Sequence, residues 1–166
     1  MLFMLVQVFV LDKIRLHQMV TPNIYFLFIL WLPFKMQRSW LMLIAFAYGF
    51  LLDSFWHLPG FYAAACVLVA YVRPFLINIF ISQEGADNNF NEPSIKSMGG
   101  ILPYAIFICV LTFVHHAWLF LLEAWQFGNV WYFLAKTFLS TLISILLIII
   151  TELIFVRKQK YRTNTE

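Results

Sequence analysis

The sequence predicts an all-α polytopic membrane protein, a bundle of about six transmembrane helices with both termini in the cytoplasm. Its composition, the length of its apolar runs and the placement of its Lys and Arg residues lead to this prediction. Apolar residues make up 63% of the 166 residues and charged residues 11%, whereas a typical globular protein has about 45–50% and about 25%. A soluble domain of this size has too little interior to bury so much apolar side chain. The composition therefore excludes a soluble enzyme, a disordered chain and a fibrous repeat.

Long apolar runs define the candidate spans, because backbone polar groups in lipid must be bonded within a helix and about 20 residues cross the hydrocarbon. The four clearest runs are residues 39–58, 60–81, 101–125 and 130–156. Residues 18–34 form a fifth candidate, whose apolar part is short enough to be an incomplete span or to lie buried against its neighbours. Residues 1–11 cover about half a span. They are either a half-length helix shielded by protein or, as we favour, a helix that lacks its first turns.

The connections fit one integral membrane domain over residues 1–166 that ends in a basic cytoplasmic tail, 157–166. Pro59 and Gly60 mark a tight break between two spans, because proline stops a helix and glycine allows the chain to reverse. Residues 82–97 form the long polar connection.

Basic residues set the expected orientation, since Lys and Arg accumulate in cytoplasmic connections. With six spans and a cytoplasmic tail, eight basic residues fall on the cytoplasmic side and three on the outer side. The cytoplasmic ones are Lys35, Arg38, Arg73, Lys96, Arg157, Lys158, Lys160 and Arg162. The outer ones are Lys13, Arg15 and Lys136. This scatter sets orientation and does not form a nucleic-acid-binding patch, although the net charge is +3.

No motif for catalysis or for cofactor binding occurs in the sequence, which lacks a Gly-rich phosphate loop and a nucleophile elbow. His115 and His116 are adjacent and so point about 100° apart on a helix, whereas metal sites on helices use residues three or four apart. We therefore expect no enzyme activity, no cofactor and no metal site, and we interpret both histidines as core or interfacial residues.

Ionisable residues inside spans are costly, so each needs a partner or a route to water. Asp53, His116 and Lys136 lie at a similar depth, roughly 9 Å from the outer ends of their helices. One interpretation is a buried polar cluster of these three residues. The other is that Lys136 extends outward to water while Asp53 meets only water and backbone. Arg73 is deeper, and we expect it to extend toward the cytoplasm.

Small residues mark the expected contacts between helices, because they allow close approach in lipid. Ala45, Gly49 and Asp53 share one helix face, and Gly60 and Ala64 lie four residues apart on the next helix. These faces flank one tight turn, so we expect spans three and four to pack on each other.

A polar stripe follows one side of the last span. It consists of Lys136, Ser140 and Ser144, with Thr137 and Thr141 adjacent. Such a stripe usually faces the bundle or a partner helix, and it is a weaker indication of a permeation path.

Three short motifs resemble the rod-shape-determining protein MreD family. They are Gly49-Phe50-Leu51-Leu52-Asp53, Leu58-Pro59-Gly60, and an Ala-rich helix that ends in Tyr71-Val72-Arg73-Pro74. Gln7 and Thr21-Pro22 match further positions of the family. The resemblance covers about residues 5–80, beyond which only the hydropathy is similar. The first helix is usually longer in the family than in this chain.

The resemblance implies a non-enzymatic subunit of the bacterial cell-elongation machinery in the inner membrane. Such a subunit associates with MreC, a single-span protein, within an assembly that includes MreB, RodA and a class B penicillin-binding protein. The alternative is the substrate-binding membrane component of a vitamin-type uptake transporter. That component would carry small residues on its first helix, whereas here they lie on spans three and four.

The expected partner face lies at the outer ends of the spans, near His17, Trp118 and Trp125. Large aromatic side chains supply buried area at low entropy cost, which makes them suited to an interface with an MreC-like helix.

The orientation is tested by a reporter that is active only outside the cytoplasm, fused after Glu166. We expect no reporter activity, because the basic tail keeps the C-terminus inside. Activity of the fusion would show that the C-terminus lies outside the cytoplasm and that the predicted orientation is wrong.

Overall fold

The computed structural model describes residues 2–11, 20–34, 36–80, 92–95, 97–124 and 130–154. Within these residues it contains six α-helices and no strand, so the predicted all-α class is confirmed. The helices are α1 (Leu2–Phe9), α2 (Leu27–Leu30), α3 (Arg38–Trp56), α4 (Phe61–Phe80), α5 (Ile101–Ala124) and α6 (Val130–Ile154).

Four of the helices, α3 to α6, are long and apolar enough to cross a membrane. They pack in chain order, with α3 against α4, α4 against α5 and α5 against α6. In the α5–α6 pair, Tyr104 donates a hydrogen bond to Glu152 at one end, and Lys136 pairs with Glu123 at the other. The pair is therefore antiparallel. The protein is a multi-pass membrane protein, and we call the side that holds the α3–α4 turn the turn side.

Close packing and a short turn join α3 to α4. A β-carbon at Gly49 would lie 2.5 Å from the α-carbon of Ala63, so only glycine fits at this position. His57, directly after α3, has a φ of 56°, and Gly60, directly before α4, has a φ of 86°. Both values lie in the left-handed region, which allows the chain to reverse within a few residues. Spans three and four pack on each other as expected, with Ala63 rather than Ala64 opposite Gly49.

The first two apolar runs do not form full spans in the part of the chain that the structure describes. Helix α1 has eight residues and is about 12 Å long, which is less than half of the hydrocarbon thickness. Residues 20–34, the described part of the candidate span 18–34, contain one short helix, α2, within irregular backbone. The prediction of a spanning helix at 18–34 is therefore wrong for residues 20–34. It matches the alternative in which the run lies buried against its neighbours.

The packing at Gly49 is tested by the variant Gly49→Leu. We expect it to lower the free energy of unfolding by about 1–3 kcal/mol, since overpacking forces the two helix backbones apart. Thermal unfolding in detergent measures the effect. The control is Ala47→Leu, which introduces the same side chain at an exposed position of the same helix. Equal midpoints for the two variants would show that the close approach is not required.

Candidate functional site

The buried segment, residues 20–32, is the unusual feature of this membrane fold. Tyr25, Phe26, Leu27 and Ile29 within it have no exposed surface. Irregular backbone inside a membrane protein leaves N–H and C=O groups without helical partners, and no water is available to replace them. The segment can therefore lie here only if side chains from the surrounding helices bond to its backbone.

Gln7 on α1 binds the first part of the segment with both ends of its amide. Its Nε2 donates to the carbonyl of Pro22 at 3.0 Å and to Oδ1 of Asn23 at 3.2 Å. Its Oε1 accepts from the amide of Ile24 at 2.9 Å. Gln7 is 3% exposed, so these bonds form away from solvent. Helix α1 is thereby joined to the segment that follows it.

Two serines of α6 accept hydrogen bonds from the same stretch of backbone. The amide of Thr21 donates to Oγ of Ser140 at 3.2 Å, and the amide of Asn23 donates to Oγ of Ser144 at 3.0 Å. Both serines have no exposed surface. The polar stripe of α6 therefore faces the bundle, and two of its hydroxyls serve the buried segment.

The later part of the segment is bound by α3 and α4. The hydroxyl of Tyr48 donates to the carbonyl of Tyr25 at 3.2 Å. The guanidinium of Arg73 donates to the carbonyl of Leu30 from Nε at 3.4 Å and from Nη2 at 3.3 Å, and also to the carbonyl of Leu32. The sequence predicted that Arg73 extends toward the cytoplasm. This prediction is wrong, because Arg73 is 1% exposed and bonds to backbone within the bundle. The guanidinium thus serves one carbonyl at the end of α2 and one just beyond it, which have no helical partner.

Histidines of α5 complete the surroundings of the segment. The hydroxyl of Tyr25 lies 2.6 Å from Nε2 of His115, and the ring of Phe26 stacks on the same imidazole at 4.4 Å. His116 bonds to the carbonyl of Thr112 at 2.9 Å and to Oγ of Ser144 at 3.1 Å. Each histidine is thus a bonded core residue.

Asp53 has a separate role at the turn side, where its carboxylate caps α4. It accepts hydrogen bonds from the amides of Gly60 at 2.9 Å, Tyr62 at 2.7 Å and Ala63 at 3.1 Å. These amides belong to the start of a helix and have no partner within it. A carboxylate at this end is also favoured by the helix dipole. The Gly-xxx-Asp spacing on α3 thus places the small residue against α4 and the acid at its N-terminus.

Lys136 pairs with Glu123 at 2.6 Å, and its ammonium lies 4.8 Å from the ring centre of Phe120. Asp53 binds backbone amides instead, and His116 binds Thr112 and Ser144. The predicted cluster of Asp53, His116 and Lys136 is therefore wrong. Lys136 pairs with Glu123 and not with Asp53, because Glu123 of α5 lies directly opposite it.

Of the remaining predicted residues, those that the structure describes lie on the turn side. Pro59 and Gly60 lie in the α3–α4 turn. Trp118 is half-buried on α5, and its indole N–H has no acceptor within the described ranges. His17 and Trp125, the other two residues of the expected partner face, lie outside the described residues.

The sequence signals for this site were incomplete. The resemblance marked Gln7 and Thr21-Pro22, and the stripe marked Ser140 and Ser144, but neither indicated that these residues bond to one another. A stretch too short to span the membrane, together with polar residues inside neighbouring spans, was the available signal.

No protein-family model, curated protein or solved structure matches the chain.

The role of Gln7 is tested by Gln7→Leu. We expect a loss of about 1–4 kcal/mol in the free energy of unfolding, because the carbonyl of Pro22 and the amide of Ile24 lose their partner without access to water. Thermal unfolding in detergent measures it. The control, Gln37→Leu, changes an exposed glutamine at the start of α3. Unchanged stability of the Gln7 variant would contradict the assigned hydrogen bonds.

The cap on α4 is tested by Asp53→Ala and Asp53→Asn. The alanine variant leaves three amides without an acceptor, and we expect it to lose about 0.5–2 kcal/mol of unfolding free energy. The asparagine variant keeps one acceptor oxygen and should lie between alanine and the natural residue. Ser54→Ala is the neighbouring control, since Ser54 is exposed and bonds within its own helix. The capping role is wrong if asparagine destabilises as much as alanine.

Proposed function

We propose that this protein is a non-enzymatic subunit of the bacterial cell-elongation machinery in the inner membrane. In this role it supports rod shape and lateral peptidoglycan synthesis by associating with an MreC-like protein, next to MreB, RodA and a class B penicillin-binding protein. The specific role comes from the resemblance of residues 5–80 to the MreD family.

One observation carries the scaffold part of the proposal. The buried side chains of Gln7, Tyr48, Arg73, Ser140 and Ser144 bond to the backbone of the buried segment. Polar groups placed in this way hold one part of the chain against another and give the bundle a definite shape. A scaffold needs such a shape, because its partner recognises a surface.

The motif residues that carry the resemblance also have structural roles. Gly49 allows α3 and α4 to touch, Asp53 caps α4, and Gly60 turns the chain between them. Their arrangement supports a role in which the α3–α4 hairpin fixes the shape of the bundle, so that the expected partner face near Trp118 is presented in one conformation. It also explains why substitutions there should act through folding.

Co-purification from detergent with the MreC-like protein of the same cell tests the proposal. We expect Trp118→Ala to lower recovery of that partner several-fold while the abundance of the variant stays unchanged, since a large aromatic supplies interface area. Trp40→Ala is the matched control, because Trp40 is 60% exposed at the opposite end of the bundle. Equal recovery by the Trp118 variant and the natural protein would place the interface elsewhere.

The same experiment separates the proposal from its alternative. Recovery of a pair of ATPase subunits, with substrate uptake that Asp53→Ala abolishes, would contradict the scaffold role and indicate an uptake transporter.

A further inference from the structure

Tyr25 is the most deeply buried tyrosine of the described residues, and its hydroxyl contacts a base. The hydroxyl lies 2.6 Å from Nε2 of His115, a nitrogen that can take a proton. The hydroxyl of Tyr48, which is also buried, donates to a carbonyl oxygen, which is too weak a base to keep a proton. Tyr104 donates to the carboxylate of Glu152 at the end of the bundle away from the turn side. Tyr25 therefore has a proton acceptor in the interior of the bundle.

The direction of this hydrogen bond follows from counting partners. Neither Nδ1 of His115 nor the hydroxyl of Tyr25 has a second partner among the described residues. If the imidazole donated, the phenol proton and the lone pair of Nδ1 would both be unpaired. If the phenol donates, only the proton on Nδ1 is unpaired. Buried polar groups are costly to leave unpaired, so we assign Tyr25 as the donor and place the proton of His115 on Nδ1.

A row of aromatic rings joins Tyr25 to the turn side. The ring centre of Tyr62 lies 5.7 Å from that of Tyr25, and the ring centre of Trp56 lies 4.8 Å from that of Tyr62. Trp56 is the last residue of α3 and is partly exposed, whereas Tyr25 has no exposed surface. Tryptophan and tyrosine are among the side chains that lose one electron most readily, and rings in contact exchange electrons quickly. The row therefore connects an oxidant at the surface to Tyr25.

Two groups stabilise the positive charge that oxidation produces. The carboxylate of Asp53 accepts a hydrogen bond from the amide of Tyr62 at 2.7 Å, so a negative charge lies beside the row. The ring of Phe26 stacks on the imidazole of His115 at 4.4 Å, and an aromatic face attracts a cation. An imidazolium at His115 is therefore stabilised where it forms.

We propose that Tyr25 and His115 form a redox site that holds an oxidising equivalent as a tyrosyl radical. A one-electron oxidant at the turn side, such as a peroxide-derived radical, takes an electron from Trp56. Tyr62 replaces that electron and is itself refilled from Tyr25, whose phenol proton moves to Nε2 of His115. The oxidant gains one electron, and the protein holds a neutral tyrosyl radical beside an imidazolium.

The site returns to its resting state when a one-electron reductant, such as ascorbate, supplies the missing electron. The proton then moves from Nε2 of His115 back to the phenol oxygen of Tyr25. The inference does not depend on the proposed role in cell elongation.

Flash photolysis of the full chain in detergent tests the proposal, with a ruthenium polypyridyl photosensitiser and persulfate as the oxidant. We expect a long-lived tyrosyl radical in electron paramagnetic resonance and in transient absorption. Tyr25→Phe should lower its yield several-fold. Tyr48→Phe is the matched control, because it removes a buried hydroxyl that faces a carbonyl, and it should leave the yield unchanged.

The row of rings is tested at its exposed end, where the Tyr25–His115 pair is left intact. Trp56→Leu should slow formation of the radical several-fold, because the oxidant loses its contact with Tyr62. Trp40→Leu is the control, since Trp40 is an exposed tryptophan of the same helix. This comparison replaces the first one if Tyr25→Phe unfolds.

The proton transfer is tested by His115→Gln, which keeps a hydrogen-bond acceptor for the phenol but is not a base. We expect the yield and the lifetime of the radical to fall several-fold. A natural yield and lifetime in this variant would overturn the role of His115. The proposal as a whole is overturned if the natural protein gives no tyrosyl signal, if Tyr25→Phe keeps the natural yield, or if the two tryptophan variants form the radical equally fast.

Discussion

The backbone of residues 20–32 lies among membrane helices without access to water, and the arrangement of the bundle depends on giving its amides and carbonyls partners. Helix α1 contributes Gln7, α3 contributes Tyr48, α4 contributes Arg73, and α6 contributes two serines. Irregular backbone at membrane depth is tolerated only where protein surrounds it. The packed helices and the buried segment are therefore mutually dependent.

This dependence accounts for the polar residues of a very apolar chain. A hydrogen bond between membrane helices contributes on average about 0.6 kcal/mol, because the unfolded chain in the membrane also finds partners. Several such bonds on one segment are needed to favour its irregular conformation over a helix. Arg73 adds a charged donor to two carbonyls, one at the last residue of α2 and one two residues beyond it, and hydrogen bonds from a charged group are stronger than neutral ones. The buried polar groups thus act together on one segment.

The start of α4 also needs hydrogen-bond acceptors, because its first amides have no partner within the helix and α3 packs closely against them. Gly49 brings the two backbones together, and the carboxylate of Asp53 then reaches three amides of α4. The lack of a side chain at one position and the acid one turn later are both required. Exposed apolar side chains cover the outside of the bundle, as lipid solvation demands.

The membrane class, the four long spans and the α3–α4 contact were predictable from the sequence, because composition, apolar length and small-residue spacing act locally. The stripe on α6 was also visible, since Ser140 and Ser144 repeat at the helical period. Pairing between distant residues was not predictable. Similar depth suggested that Asp53 and Lys136 form a contact. Depth does not specify which way a side chain points around its helix, and in the structure Lys136 pairs with Glu123 while Asp53 caps α4. Likewise, the short apolar part of residues 18–34 left a span, an incomplete span and a buried stretch open. Only the tertiary structure decided that the stretch is buried and that side chains from four helices replace the missing helical hydrogen bonds.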